Sequence, residues 1–73
     1  RVNTVSPGFV ETGLTSRVLR NPAIAKALID QTPMRRLGLP HEIARAVAFL
    51  ASDEASFVTG AELAVDGGMS AGL

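Results

Sequence analysis

The stretch PHEIARAVAFLASDEASFVTGAELAVDGG, residues 40–68, decides how the chain reads. Pro40 suits the first helical position, where a missing N–H leaves nothing unpaired and φ is already helical. Ile43, Val47 and Leu50 keep the i, i+4, i+7 spacing of one helical face, so a helix over 40–51 is predicted. Leu39 has no side-chain acceptor, which leaves Glu42 as half of a capping box. The helix is apolar nearly all round, Arg45 excepted, a pattern expected of a helix covered on more than one side. SDEAS then reads as a short capped turn whose acids, Asp53 and Glu54, suit a helix start. Residues 61–65, AELAV, predict a strand. Asp66-Gly67-Gly68 predicts a turn and residues 70–73 a tail.

Upstream, RVNTVSPGFVET opens the chain at residues 1–12. Residues 1–6 read as a polar strand stopped by Pro7-Gly8. A helical pattern runs from Thr12 to Gln31 and breaks at Asn21-Pro22, an N-cap followed by a first-turn proline. Ile24 and Leu28 give it a thin apolar face. Thr32-Pro33 ends it, because a residue before proline avoids the α region. Met34 is expected in the core as a gap-filler, and Met69 is left between core and substrate pocket.

The order strand, helices, helix, strand predicts two parallel strands joined by a crossover. A parallel sheet needs both faces covered, which two strands and these helices do not supply. The expected fold is therefore α/β, the last part of a larger doubly wound sheet, with residues 1–73 the C-terminal part of a single domain.

Seven basic and seven acidic residues balance. No nucleic-acid or membrane partner is expected from that balance. The absence of cysteine removes disulfides and thiolate metal sites. His41 is the only histidine, too little for a metal site, and is expected at the surface. No apolar run is long enough to span a bilayer and no signal-peptide pattern is visible, so a cytoplasmic setting is expected.

Taken together, RVNTVSPGFVET, PMRRLGLPHEIARAVAFLASDEASFVTG and AVDGGM resemble the C-terminal portion of the short-chain dehydrogenase/reductase family, of the 3-oxoacyl-carrier-protein reductase and sugar dehydrogenase type. The resemblance implies a Rossmann-type oxidoreductase using NAD or NADP on a small carbonyl or alcohol substrate. It makes residues 1–6 and 61–65 the last two strands of the sheet and residues 12–33 a substrate lid. It implies a homo-oligomer assembled through helix 40–51 and strand 61–65. The family's phosphate loop and its Tyr-x-x-x-Lys pair have no counterpart here: the chain has no tyrosine, and Lys26 is its only lysine. Gly67-Gly68, with no helix expected behind it, is not a phosphate loop. No catalytic residue is therefore expected in these residues, and the alternative is a non-catalytic remnant or assembly module.

By their residues alone, Pro7, Gly8, Val10 and Thr12 read as a turn and a helix cap. The resemblance makes them cofactor-binding: Pro7 and Gly8 against the nicotinamide ring, the Val10 backbone on its carboxamide, and the Thr12 hydroxyl as a further polar contact. Arg35 and Arg36 are expected to be solvated or paired with acids.

Overall fold

A computed structural model describes residues 1–72. Strand β1, Thr4–Pro7, lies parallel to β2, Glu62–Val65, in a two-stranded sheet. Its register runs from Thr4 opposite Glu62 to Pro7 opposite Val65. Between them lie α1 (Gly13–Val18), α2 (Pro22–Asp30) and α3 (Pro40–Ala51). Two single 3-10 turns, Asp53–Ala55 and Met69–Ala71, flank β2 in sequence. This is the α/β arrangement expected, a C-terminal βαβ part of a Rossmann-type sheet.

The strands start later than the sequence suggests. β1 begins at Thr4 and takes in Pro7, because residues 1–3 bond to the loop ahead of β2 instead. The Asn3 amide donates to Val58 O and accepts from Ala61 N–H, at 3.1 and 2.9 Å. The Arg1 guanidinium donates to Leu50 O, Ser52 O and Val58 O at 2.9–3.1 Å. A cation thus meets the unpaired carbonyls that end α3, where the helix dipole is negative. Ala61, expected to open β2, instead accepts from Thr4 N–H just before it.

Local chemistry explains the helices. The Asn21 side chain accepts from Ala23 N–H at 3.0 Å and caps α2 behind its first-turn Pro22. Ser52 ends α3 and caps the next turn by accepting from Glu54 N–H at 3.2 Å. Leu39 provides no cap; Glu42 reaches back and accepts from Leu39 N–H at 3.0 Å, the half box expected.

α3 covers one face of the sheet. Val5, Val47, Leu50 and Ala51 surround one shallow depression between helix and strand. Leu50 and Ala55 are the only buried apolar residues among those described. Val47 and Phe49 stay about half exposed, at 49% and 48%, so the all-round apolar character of α3 is not matched by cover within this chain. Two expectations are corrected. Met34 is 60% exposed rather than core, because the loop that carries it turns over the end of β2 with nothing above it. The tail is not loose: Met69–Ala71 is wound into a 3-10 turn, so a turn of helix does follow Gly67-Gly68.

Candidate functional site

The site lies beyond the carboxyl ends of the two strands. There β1 runs out through Gly8, and the chain passes Phe9 and Val10 before α1. Gly38, returning from α2, pairs with Val10 in a parallel bridge. Gly38 N–H donates to Phe9 O and Glu11 N–H donates to Gly38 O, both at 2.9 Å. In this parallel bridge Gly38 gives both its N–H and its C=O to the neighbours of Val10, while Val10 itself points its N–H and C=O away from Gly38. Val10 therefore turns a donor and an acceptor toward the other side. Among the described residues its N–H meets no acceptor, and its carbonyl accepts only from the Thr15 hydroxyl at 2.9 Å. A carbonyl has a second lone pair, so both groups can serve a ligand.

Thr12 is the N-cap of α1. Its hydroxyl accepts from Thr15 N–H at 3.2 Å, while the Thr15 hydroxyl accepts from Thr12 N–H at 2.6 Å. With the Thr15 hydroxyl donating to Val10 O, the Thr12 hydroxyl can only donate in its 3.2 Å contact with Thr15 Oγ1, a long bond that a ligand acceptor can replace. Capping and a ligand contact are thus compatible at Thr12, since one uses the oxygen and the other the proton. Together Val10 and Thr12 offer two donors and an acceptor, a set that fits a planar amide.

Gly8 serves a different need from the one its sequence suggests. A Cβ there would stand 2.7 Å from Asp66 Cβ and 2.8 Å from Asp66 Cα. The glycine first admits the turn after β2. Asp66 in turn organises that segment: its two carboxylate oxygens accept from Gly68 N–H and Ser70 N–H at 2.9 and 3.0 Å. Hydrogen bonds from Ser70, hydroxyl first and then amide, hold its carboxyl below the usual range, with the Gly68 and Met69 amides adding to them. Asp66 thus already takes the Gly68, Met69 and Ser70 amides at the head of Met69–Ala71, and these are not offered to a phosphate.

Beside this edge a cleft of about 410 Å³ opens among Phe9, Thr32, Met34, Gly38, Ile43 and Val65. Arg36 and Glu42 form one lip. The guanidinium donates to both carboxylate oxygens at 2.8 and 2.9 Å. That pairing, then the Leu39 amide, lowers the Glu42 pKa from 4.5 to about 2. Thr32, 5% exposed, forms the floor and donates to Leu28 O at 3.1 Å. Of the four candidate residues, none lines this cleft; Phe9 and Gly38 connect it to the Val10 edge. His41 is exposed, as expected. The Val10–Gly38 bridge, the Gly8–Asp66 contact and the Arg1 cap escaped the sequence reading, because each joins residues at least 28 apart.

A family profile described as enoyl-(acyl carrier protein) reductase matches residues 1–70. The chain is 53% identical over 68 residues to galactitol 2-dehydrogenase (L-tagatose-forming) of Cereibacter sphaeroides, covering 93% of this chain and 27% of that protein. It is 54% identical over 68 residues to a 3-oxoacyl-[acyl-carrier-protein] reductase of Vibrio cholerae, with the same two coverages. Among solved structures, an Agrobacterium tumefaciens protein named for 2-deoxy-D-gluconate 3-dehydrogenase activity, with NADP bound, superposes with a TM-score of 0.91 at 41% identity. That superposition covers 97% of this chain and 29% of the other. The fold is thus that of part of a Rossmann-type α/β sheet. The chain belongs to the short-chain dehydrogenase/reductase family. It spans little more than a quarter of the relatives it matches.

Proposed function

We propose that residues 1–73 are the C-terminal part of a single NAD(P)-binding domain in an oxidoreductase that transfers hydride between a nicotinamide cofactor and a carbonyl or alcohol carbon. The observation that carries this reading is the free donor and acceptor of Val10 at the carboxyl end of β1, in a chain of this family. A nicotinamide carboxamide is a planar amide: its oxygen can accept from Val10 N–H, and its NH₂ can donate to Val10 O. The Thr12 hydroxyl can turn its proton from Thr15 Oγ1 to the same group. Pro7 and Gly8 form the wall behind the ring. The bound nicotinamide supplies the hydride chemistry; these residues bind and orient. By the family resemblance, transfer of the substrate proton is the work of the Tyr-x-x-x-Lys pair, which has no counterpart in these residues.

The whole protein is read as a cytoplasmic homo-oligomer joined through helix 40–51 and strand 61–65. Half-exposed Phe49, off the 43–47–50 face of α3, and the unpaired edge of β2 support that surface.

The test uses the full-length gene product and follows NAD(P)H oxidation with simple ketones and 3-oxo thioesters. Thr12→Ser keeps cap and donor. Thr12→Asp keeps a good cap but has no proton to give. The aspartate variant is expected to raise the cofactor KM by roughly two- to twelvefold, the equivalent of a hydrogen bond of about 0.5–1.5 kcal/mol. Its melting temperature is expected to stay near wild type. An unchanged KM removes Thr12 from the cofactor site, and absence of NAD(P)H oxidation with every carbonyl tried overturns the activity itself.

A further inference from the structure

Beyond β2 the turn Asp66–Gly68 stands between the two sides of the candidate site. On one side it meets the Pro7-Gly8 turn, where Gly8 N–H donates to Val65 O at 3.1 Å. A Cβ on Gly8 would also come within 2.8 Å of Asp66 Cα and 3.3 Å of its carbonyl oxygen. On the other side the turn meets the loop after α2. Met34 N–H donates to Gly67 O at 3.1 Å, and a Cβ on Gly67 would stand 2.8 Å from Thr32 Cγ2. Gly8 brings no side chain that could absorb a shift. A displacement of the Asp66–Gly68 turn is therefore passed directly to the Pro7-Gly8 wall.

Burial does not hold this turn, since Asp66, Gly67 and Gly68 are all partly exposed. Gly67 and Gly68 take φ of +64° and +95°, backbone open to glycine and costly for other residues. Two successive glycines also have the most conformational freedom to lose, so the turn needs a restraint. Asp66 supplies it. Its carboxylate accepts from Gly68 N–H and Ser70 N–H at 2.9 and 3.0 Å, and its carbonyl accepts from Met69 N–H at 3.3 Å. Amide bonds to a charged acceptor are stronger than neutral ones, so the conformation of the turn depends on this one aspartate. All its short contacts are spent on the chain that follows it; what it gives the site is a place for Gly8 to rest.

We propose that Asp66 is a positioning residue: through its turn and Gly8 it fixes how deep the nicotinamide ring sits, and so the distance over which hydride passes. This deepens the oxidoreductase reading above and rests on it. The step is balanced: the carbonyl carbon takes hydride from C4 of the dihydronicotinamide and the carbonyl oxygen takes a proton, giving the alcohol and NAD(P)⁺. Such a step needs its reacting atoms about 3–3.5 Å apart, and a misplacement of about 1 Å costs on the order of a hundredfold in rate. The effect of Asp66 is confined to the nicotinamide end of the cofactor, because that is the part the Pro7-Gly8 wall backs.

The experiment compares full-length wild type with Asp66→Ala, which removes both carboxylate acceptors, and Asp66→Asn, which keeps one oxygen. Three quantities are measured: the cofactor KM, the rate of the hydride step in a single turnover with a simple ketone, and the inhibition constant of ADP-ribose or its 2′-phosphate. These last two are the cofactors without their nicotinamide. The hydride step is expected to slow about ten- to a hundredfold in Asp66→Ala, and less in Asp66→Asn. The cofactor KM is expected to rise several-fold while inhibition by the ADP-ribose compound stays as in wild type. If Asp66→Ala is misfolded by circular dichroism, Asp66→Asn carries the test. A lowered melting temperature with the hydride rate and cofactor KM unchanged overturns the proposal and leaves Asp66 to stability alone. Equal loss of affinity for cofactor and for the ADP-ribose compound also overturns it, because the effect then falls on the whole dinucleotide. Either result leaves the oxidoreductase reading intact. Wild type that oxidises no NAD(P)H with any carbonyl tried overturns that reading, and this proposal with it.

Discussion

A methyl group on Gly8 would overlap the Cα and Cβ of Asp66, and backbone cannot yield as a flexible side-chain end can. One residue thus couples the Pro7-Gly8 turn, the proposed nicotinamide wall, to the turn that ends β2. Glu42 works at the same scale on the other lip. It neutralises Arg36, caps Leu39 N–H and sits in the first turn of α3, where a carboxylate suits the dipole. These contacts, with His41 nearby, favour its charged form and lower its pKa from 4.5 to about 2. A folded-state pKa below the unfolded one means the contribution to stability is present above pH 4.5 and lost as pH falls toward 2. In full-length protein, Glu42→Gln is expected to lower the urea midpoint at pH 7 and to flatten its fall over that acid window. Parallel acid limbs for variant and wild type would show that the ion pair contributes nothing to folding.

At the scale of elements, α3 carries more apolar surface than this chain covers. Leu50 is buried against β1, and Ile43 is partly buried at the cleft, but Phe49 remains 48% exposed and Val47 49%. β2 has β1 on one edge only, and an uncovered, nearly uncharged strand edge invites pairing. A two-fold copy using the same patch on both partners would cover both. Phe49→Glu in the full-length protein is therefore expected to halve the mass by light scattering with the circular dichroism retained. An unchanged mass would take Phe49 out of the seam, and an unfolded variant would assign it to the core. These elements were legible because their signals are local: Pro40 with the 43–47–50 spacing for α3, Asn21-Pro22 for α2, and Asp66-Gly67-Gly68 for the turn. The strand starts were less legible, since what holds residues 1–3 is the loop at residues 58–61. At the site, the cap at Thr12 could be read from the sequence. The Val10 edge could not be derived from it, because its free N–H depends on Gly38 taking the other side of the backbone.

For the whole molecule, surface and shape decide what the segment can do alone. A compact monomer of 7.6 kDa exposes roughly 4,300 Å², whereas this chain exposes 5219 Å². A compact chain of this length has a radius of gyration of about 11 Å, whereas this one has 14.0 Å and is only 14 Å along its shortest axis. That thickness is one helix layer against one sheet layer, so the far face of the sheet, Thr4, Ser6, Glu62 and Ala64, has no layer upon it. Two buried apolar residues cannot offset the conformational entropy of ordering some seventy. The parallel pairing adds to the difficulty, because β1 and β2 are joined by a long crossover whose closure must come before any of their contacts. The isolated 73-residue chain is therefore expected to melt without a sharp transition, to exchange most backbone amides rapidly, to bind ANS, and to oxidise no NAD(P)H. In the full-length protein proposed above, a second layer over Thr4, Ser6, Glu62 and Ala64 would protect the amides of Val5, Ser6, Leu63 and Ala64 strongly. A cooperative melt of the isolated chain, with those four amides protected as well as in the full-length protein, would mean that the sheet and α3 are a self-sufficient fold and that the missing layer is not needed.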